Sequence, residues 1–256
     1  MTIRHPRPSS GAATCPPGEI GRKGRLYQNG VYLQQNPTWH AEDSSWKAEQ
    51  VVQLLQRNGL DPREVCEVGC GAGEILVHLR RLLPDAREFA GYDISPQAYD
   101  LCRSKEAPGL RFHLGDVADE PDVRFDLLLA MDVLEHVEDC FSFLRRLRSK
   151  AQWKVFHVPL ELSAHRVLRG APLLATRRAF GHLHYFTRDT LFATLEETGY
   201  RVVDYRYTDL STSPDGRRHG NPVRSLLGLA RSALFKVRPD FTARALGGYS
   251  ILILTK

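Results

Sequence analysis

Two rhythms of apolar and polar positions run along most of this chain. Short apolar runs at 64 to 69, 88 to 94, 110 to 115, 125 to 131 and 153 to 158 read as strands. Segments at 72 to 83, 96 to 105 and 139 to 151 instead repeat every three or four residues, as helices do. In the first of these, Ile75, Leu76, Leu79, Leu82 and Leu83 share one face, as a helix lying on a sheet requires. An earlier helix has Asp43 or Ser44 as its cap, Ala48, Val51, Val52 and Leu55 on one face, and Asn58-Gly59 as its stop. Strands separated by helices predict right-handed crossovers and a mainly parallel sheet covered on both faces, with ligands at the carboxyl ends of the strands. Further on, Thr187 is expected to cap a helix that Gly199 ends, and Tyr200 to Tyr207 alternates as a strand with Tyr249 to Leu254 as its partner. Two inserts, Glu161 to Phe186 and Asp209 to Gly248, interrupt this plan.

The first strand carries the chemistry. In Val65-Cys-Glu-Val-Gly-Cys-Gly-Ala-Gly73 it delivers one carboxylate, Glu67, just before glycines at alternate positions. Gly69, Gly71 and Gly73 remove side chains from the surface on which a cofactor would lie and allow backbone angles closed to other residues. Asp93 ends the next apolar run, where such folds bind a ribose diol. Two acids and three glycines define a nucleoside site. Dinucleotide sites usually show G-x-G-x-x-G with pyrophosphate at the helix N-terminus, whereas here the spacing is G-x-G-x-G. Glu67 would repel a pyrophosphate and attract the ammonium and sulfonium of S-adenosylmethionine, so the residues favour the methyl donor.

With these motifs, the chain from about Val51 to Lys256 resembles the class I S-adenosylmethionine-dependent methyltransferases, in particular small-molecule enzymes of the ubiquinone-biosynthesis type. The resemblance implies a Rossmann-like, seven-stranded, mainly parallel sheet with helices on both faces and an antiparallel C-terminal strand. Asp93-Ile94 resembles the ribose-binding acid and the apolar residue that packs on adenine. Gly115-Asp116-Val117 resembles the loop whose acid contacts the adenine amine, and Phe125 to His136 resembles the fourth strand with its following motif, which adds Met131 to the donor site. Residues 1 to 24 are expected to be a Pro, Gly and Arg tail, 25 to 60 a lid and helix, and 61 to 256 the catalytic domain. The aromatic stretch with Tyr27, Tyr32, Trp39 and Trp46 would be the lid or would simply pack on the domain edge.

Methyl transfer to a hydroxyl asks the protein to align the two partners and to remove one proton, a task that suits imidazole. The candidates are His136, in Asp132-Val-Leu-Glu135-His136, and His182, in Gly181-His-Leu-His-Tyr-Phe-Thr187. His182 is expected to be the base because Gly-His-x-x-x-Phe before a capped helix resembles the acceptor side of small-molecule methyltransferases. His184 would face the other way in an extended segment, and His157 and His165 are weaker options. Asp132, Glu135, His136 and His182 also make a set that suits a hard cation. Related enzymes with Glu-x-x-Glu-His carry a longer first acid, however, so no metal is expected.

Composition limits the alternatives. At 256 residues one core is expected, and the longest aliphatic stretch, Ile251 to Leu254, is far too short to span a membrane. The first twenty residues lack the apolar core of a secretion signal. Five cysteines (Cys15, Cys66, Cys70, Cys102 and Cys140) without C-x-x-C spacing argue against disulfides and zinc, so the reduced cytoplasm is the expected location. A net charge of +5 does not favour nucleic acid, and Met131-Asp-Val-Leu stands where a base methyltransferase would show a Pro-Pro-aromatic motif. The basic run from Arg217 to Arg244 leaves open a phosphate-bearing substrate, a ribose-methylating role or peripheral contact with an anionic membrane. A non-catalytic nucleoside-binding protein is the remaining alternative, disfavoured by an intact set of Glu67, Asp93 and Asp116.

Overall fold

Seven strands form one sheet: β1 (Glu64–Val68), β2 (Glu88–Asp93), β3 (Leu110–Leu114), β4 (Phe125–Met131), β5 (Ala151–Pro159), β6 (Val202–Asp209) and β7 (Tyr249–Thr255). The computed structural model describes Trp39, residues 41 to 209 and residues 231 to 256. The expected tail, Tyr27, Tyr32, His40 and the basic residues Arg217, Arg218 and Arg224 lie outside the described residues. The order is β3-β2-β1-β4-β5-β7-β6, and β7 runs antiparallel to both its neighbours. The fold is thus the Rossmann-like mixed sheet expected above. The chain steps outward from β1 to β3 and then returns to add β4 on the other side of β1. That reversal opens a crevice at the carboxyl ends of β1 and β4, where ligands collect in such sheets.

Helices cover the sheet: α1 (Ser44–Arg57), α2 (Glu74–Leu82), α3 (Pro96–Cys102), α4 (Cys140–Leu147), α5 (Ala164–Arg169), α6 (Ala171–Ala179), α7 (Arg188–Glu197) and α8 (Pro239–Leu246). Their ends follow local chemistry. Gly73 is the N-cap of α2 with φ +76°, so that helix begins two residues later than its apolar period suggests. Asp139 accepts the Ser142 N–H to start α4, which tightens to a 3-10 turn at Arg148–Lys150 instead of continuing as α-helix. Asp43 precedes α1 without a side-chain cap; a 3-10 turn, Ala41–Asp43, leads into the helix instead. Thr187 and Thr190 close a reciprocal capping box on α7.

Alternation along β4 distributes the core. Leu127, Leu129 and Met131 join one apolar cluster, while Leu128 and Ala130 join clusters on the opposite side. The first cluster includes Ala48, Val51, Leu54 and Leu55 of α1 together with Leu76 and Leu79 of α2. The helix after the aromatic stretch is therefore a structural layer of the domain. Each fully buried Leu adds about 1.5–3 kcal/mol of apolar burial, which is why α1 cannot detach cheaply from α2, β6 and β7.

Candidate active site

The glycine loop turns sharply after β1, and its neighbours leave no space for side chains. Gly71 has φ +53°, and a Cβ there would meet the Trp39 ring at 2.5 Å. A Cβ on Gly69 would meet Val133 Cγ2 at 2.7 Å, which places the loop after β4 directly against the glycine loop. Asp93, at the end of β2, is buried and accepts the Gly71 N–H at 2.9 Å and the Ser95 N–H at 2.8 Å. It latches the loop in place. Burial raises the Asp93 pKa, opposed by these backbone donors. Glu67 is 1% exposed, and its Oε2 has no hydrogen-bond partner among the described residues. Burial pushes this carboxyl well up, Lys47 opposes the shift, and Asp93 adds to it. An orphaned acid beside the glycine loop fits a cationic ligand group.

The adenine side is mixed. Ile94 is half exposed directly after Asp93, as an apolar platform would be. Asp116 accepts the Ala118 N–H at 2.8 Å and lies 3.4 Å from Arg146. The Val117 side chain, by contrast, is fully buried with Cys66, Val68 and Leu128, so only its backbone remains for a ligand. Met131 is buried under the crevice in the main core.

Beyond β4 the acids diverge. Asp132 takes a left-handed backbone, φ +57°, rare for a residue with a Cβ. It pairs with Lys47 at 2.7 Å and accepts from His157 Nδ1 at 2.7 Å, while His157 Nε2 sits 2.9 Å from Thr208. Burial would raise the Asp132 pKa, but His157 and Lys47 outweigh it and hold the group well below the usual carboxylate range. Asp132 is therefore committed to a network tying α1 to β5 and β6 and stands apart from the histidine cluster. His157 is buried within that network, and His165 is exposed with its Nε2 accepting from Arg169 at 3.2 Å.

Glu135, His136 and His182 do come together. Each offers a ligand atom within 4.8 Å of the others, and the two imidazoles meet edge to face with centroids 4.7 Å apart. The Glu135 carbonyl accepts the N–H groups of Leu183 at 2.7 Å and His184 at 3.2 Å, which docks the histidine loop on the motif after β4. The Glu135 carboxylate is 1% exposed, with neither oxygen hydrogen-bonded among the described residues. Burial raises its pKa well above normal, and Asp132 adds to the shift. The two imidazoles and the carboxylate have the donor chemistry to hold a divalent cation. His184 donates to the Val137 carbonyl at 2.8 Å, a structural contact with the turn after β4.

Sequence reading did not anticipate the partner of His182. Glu161, just past β5, accepts from His182 Nδ1 at 2.6 Å and also pairs with Arg166 at 2.6 Å. Burial would raise the Glu161 pKa, but His182 and Arg166 outweigh it and lower it. The only signal in the sequence was an acid within Pro159-Leu-Glu-Leu162, 21 residues from the histidine it orients.

This sheet order, the glycine loop with its latching acid and the histidine loop beside it define a Rossmann-like α/β domain with a nucleoside-type crevice. The methyltransferase domain family matches residues 39–205, and the chain belongs to it, within the class I S-adenosylmethionine-dependent methyltransferases. It is 40% identical over 74 residues to magnesium-protoporphyrin O-methyltransferase of Rhodobacter capsulatus, covering 27% of this chain and 32% of that protein. It is 32% identical over 143 residues to ubiquinone biosynthesis O-methyltransferase of Bradyrhizobium diazoefficiens, covering 49% of this chain and 54% of the other. The match thus spans about a third to a half of the length of these relatives. The crystal structure of magnesium protoporphyrin IX methyltransferase from Synechocystis PCC 6803, with bound SAH, superposes with a TM-score of 0.59 at 15% identity, over 91% of this chain and 96% of that one. That likeness is one of fold.

Proposed function

We propose that the protein methylates an oxygen of a small-molecule acceptor, with S-adenosylmethionine as donor and His182 as the base. The observation that carries this reading is the His182 to Glu161 contact, 2.6 Å, beside the loop that abuts Gly69. When bound, S-adenosylmethionine supplies an electrophilic methyl group on its sulfonium. Glu67, Gly69, Gly71, Gly73, Asp93, Ile94, Asp116, the Val117 backbone and Met131 would hold it. Glu161 accepts the Nδ1–H of His182, which leaves Nε2 to take the acceptor's hydroxyl proton. The carboxylate then stabilises the resulting imidazolium, the role of the acid in a catalytic triad. His136 packs on the ring edge and limits its rotation. The matched relatives named as O-methyltransferases support oxygen, while others named as N-methyltransferases keep nitrogen as the second acceptor atom.

Calorimetry tests the donor. Micromolar affinity for S-adenosylmethionine, about 8 kcal/mol, is expected, with none for NAD. Asp93→Ala should weaken donor binding by roughly 10²-fold or more, because it removes the charged partner of the diol and releases Gly71. Unchanged affinity in Asp93→Ala sinks the cofactor assignment. The acceptor follows from incubating metabolite extracts with enzyme and isotopically labelled donor, and full turnover in EDTA is expected; inhibition by the chelator would turn Glu135, His136 and His182 into metal ligands.

A further inference from the structure

Apart from the site, the described surface concentrates its exposed apolar side chains on two inserts that touch. Helices α5 and α6 form a hairpin around Gly170, and α8 lies against α5. The turn after α8 is so close to the start of α5 that a Cβ on Gly247 would meet Ser163 Oγ at 2.6 Å. On this surface Val167, Leu168, Leu174, Phe180, Val237 and Phe241 stand exposed, Leu168 to 88% and Val237 to 77%. Exposed apolar side chains scattered singly are ordinary, but gathered on touching helices they mark an interaction surface.

Charge selects the partner. From Ala164 to Gly181 there is no Asp or Glu, while Arg169, Arg177 and Arg178 are exposed. Leu174 and Arg178 are one helical turn apart on α6, so apolar and cationic groups share one side of the helix. The acid of α8, Asp240, is occupied by Arg188 and by Tyr207, and so does not offset these arginines. A nucleic acid would match the arginines but would have no use for Leu168 or Val237, whereas an interfacial element combines a basic face with apolar side chains reaching below the headgroups.

We propose that the α5–α6 hairpin, with α8 beside it, docks the enzyme on an anionic phospholipid surface. The sequence left such contact open for the basic insert, 209 to 248, of which residues 210 to 230 lie outside the described residues; on the described surface the hairpin between β5 and α7 carries it. The docking face adjoins the candidate acceptor site, since the Phe180 and His182 ring centroids are 5.9 Å apart and Tyr185 hydrogen-bonds the Leu173 carbonyl. An acceptor dissolved in the membrane would then reach His182 without crossing bulk water.

Vesicle flotation with the full chain tests this, and because it reads binding it stands apart from the proposed reaction. The protein should float with phosphatidylcholine vesicles containing about a third phosphatidylglycerol, and much less with phosphatidylcholine alone or at about 1 M salt. Leu168→Glu with Leu174→Glu, and separately Arg169→Glu with Arg178→Glu, should each lower partitioning at least about tenfold, with melting temperature and donor affinity unchanged. Failure of the unaltered protein to bind anionic vesicles overturns the proposal, as does equal binding to neutral ones. Binding that survives in both double variants places the contact elsewhere and overturns it too. A concentration-dependent dimer that Leu168→Glu with Leu174→Glu abolishes would instead make this face an interface between two copies of the chain.

Discussion

His182 and Glu135 sit side by side and bear opposite burdens. His182 has a carboxylate partner, Glu161, whereas the Glu135 carboxylate is buried without a hydrogen bond among the described residues. Replacing His182 by Ala is expected to lower kcat by about 10²–10⁴ with donor affinity intact, as loss of proton transfer does. Glu161→Gln should keep the fold but lower kcat by a smaller factor, since it removes the carboxylate that orients the ring. Full activity in His182→Ala would leave proximity alone as the source of catalysis. Glu135 yields a stability prediction. Its folded pKa is raised, while the unfolded chain ionises near about 4.3. Its contribution to stability is therefore complete below about 4.3 and declines as pH rises toward the folded value. Glu135→Gln should accordingly be more stable than the natural protein at pH 8, by about 1–3 kcal/mol, with the gain shrinking toward pH 4. A pH-independent difference between the two melting curves contradicts this account.

At the scale of elements, α1 is both a core layer and a brace. Its buried face packs against α2 and on β6 and β7, and its Lys47 holds Asp132, the residue with the left-handed backbone. Lys47→Met would leave the Asp132 carboxylate with His157 alone as its side-chain partner among the described residues and remove that support from its loop. We expect about 1–3 kcal/mol of lost stability, below the range for a fully buried pair because Asp132 is 28% exposed. Donor affinity should fall as well, since the loop after β4 touches Gly69. Chemical denaturation and calorimetry on the same variant read the two effects, and unchanged values in both would show that the brace does nothing. Most elements were legible from periodicity because their apolar faces are local. The ends of α2 and α4 were less so, since a left-handed Gly73 and a tightened last turn depend on backbone geometry.

For the whole molecule, the N-terminal region separates into parts of different consequence. Removing residues 1 to 22, rich in Pro and polar residues, is expected to leave melting temperature and donor binding unchanged. Removing everything through Lys47 should weaken both donor retention and turnover, because Trp39 over Gly71 and the Lys47 ion pair go with it. Equal activity of the two truncations would reduce the aromatic stretch to edge packing. The sequence by itself determined the alternation of strands and helices, the glycine loop with Glu67 and Asp93, and the family those motifs signal, because each depends on spacing within a few tens of residues. It also singled out His136 and His182 and grouped them with Asp132 and Glu135. Only the tertiary structure decided that Glu161 orients His182 and that Asp132 leaves that group for Lys47 and His157. Those partnerships link residues up to 85 positions apart along the chain, and side chains so distant acquire a common site only when the sheet order sets their strands and loops side by side.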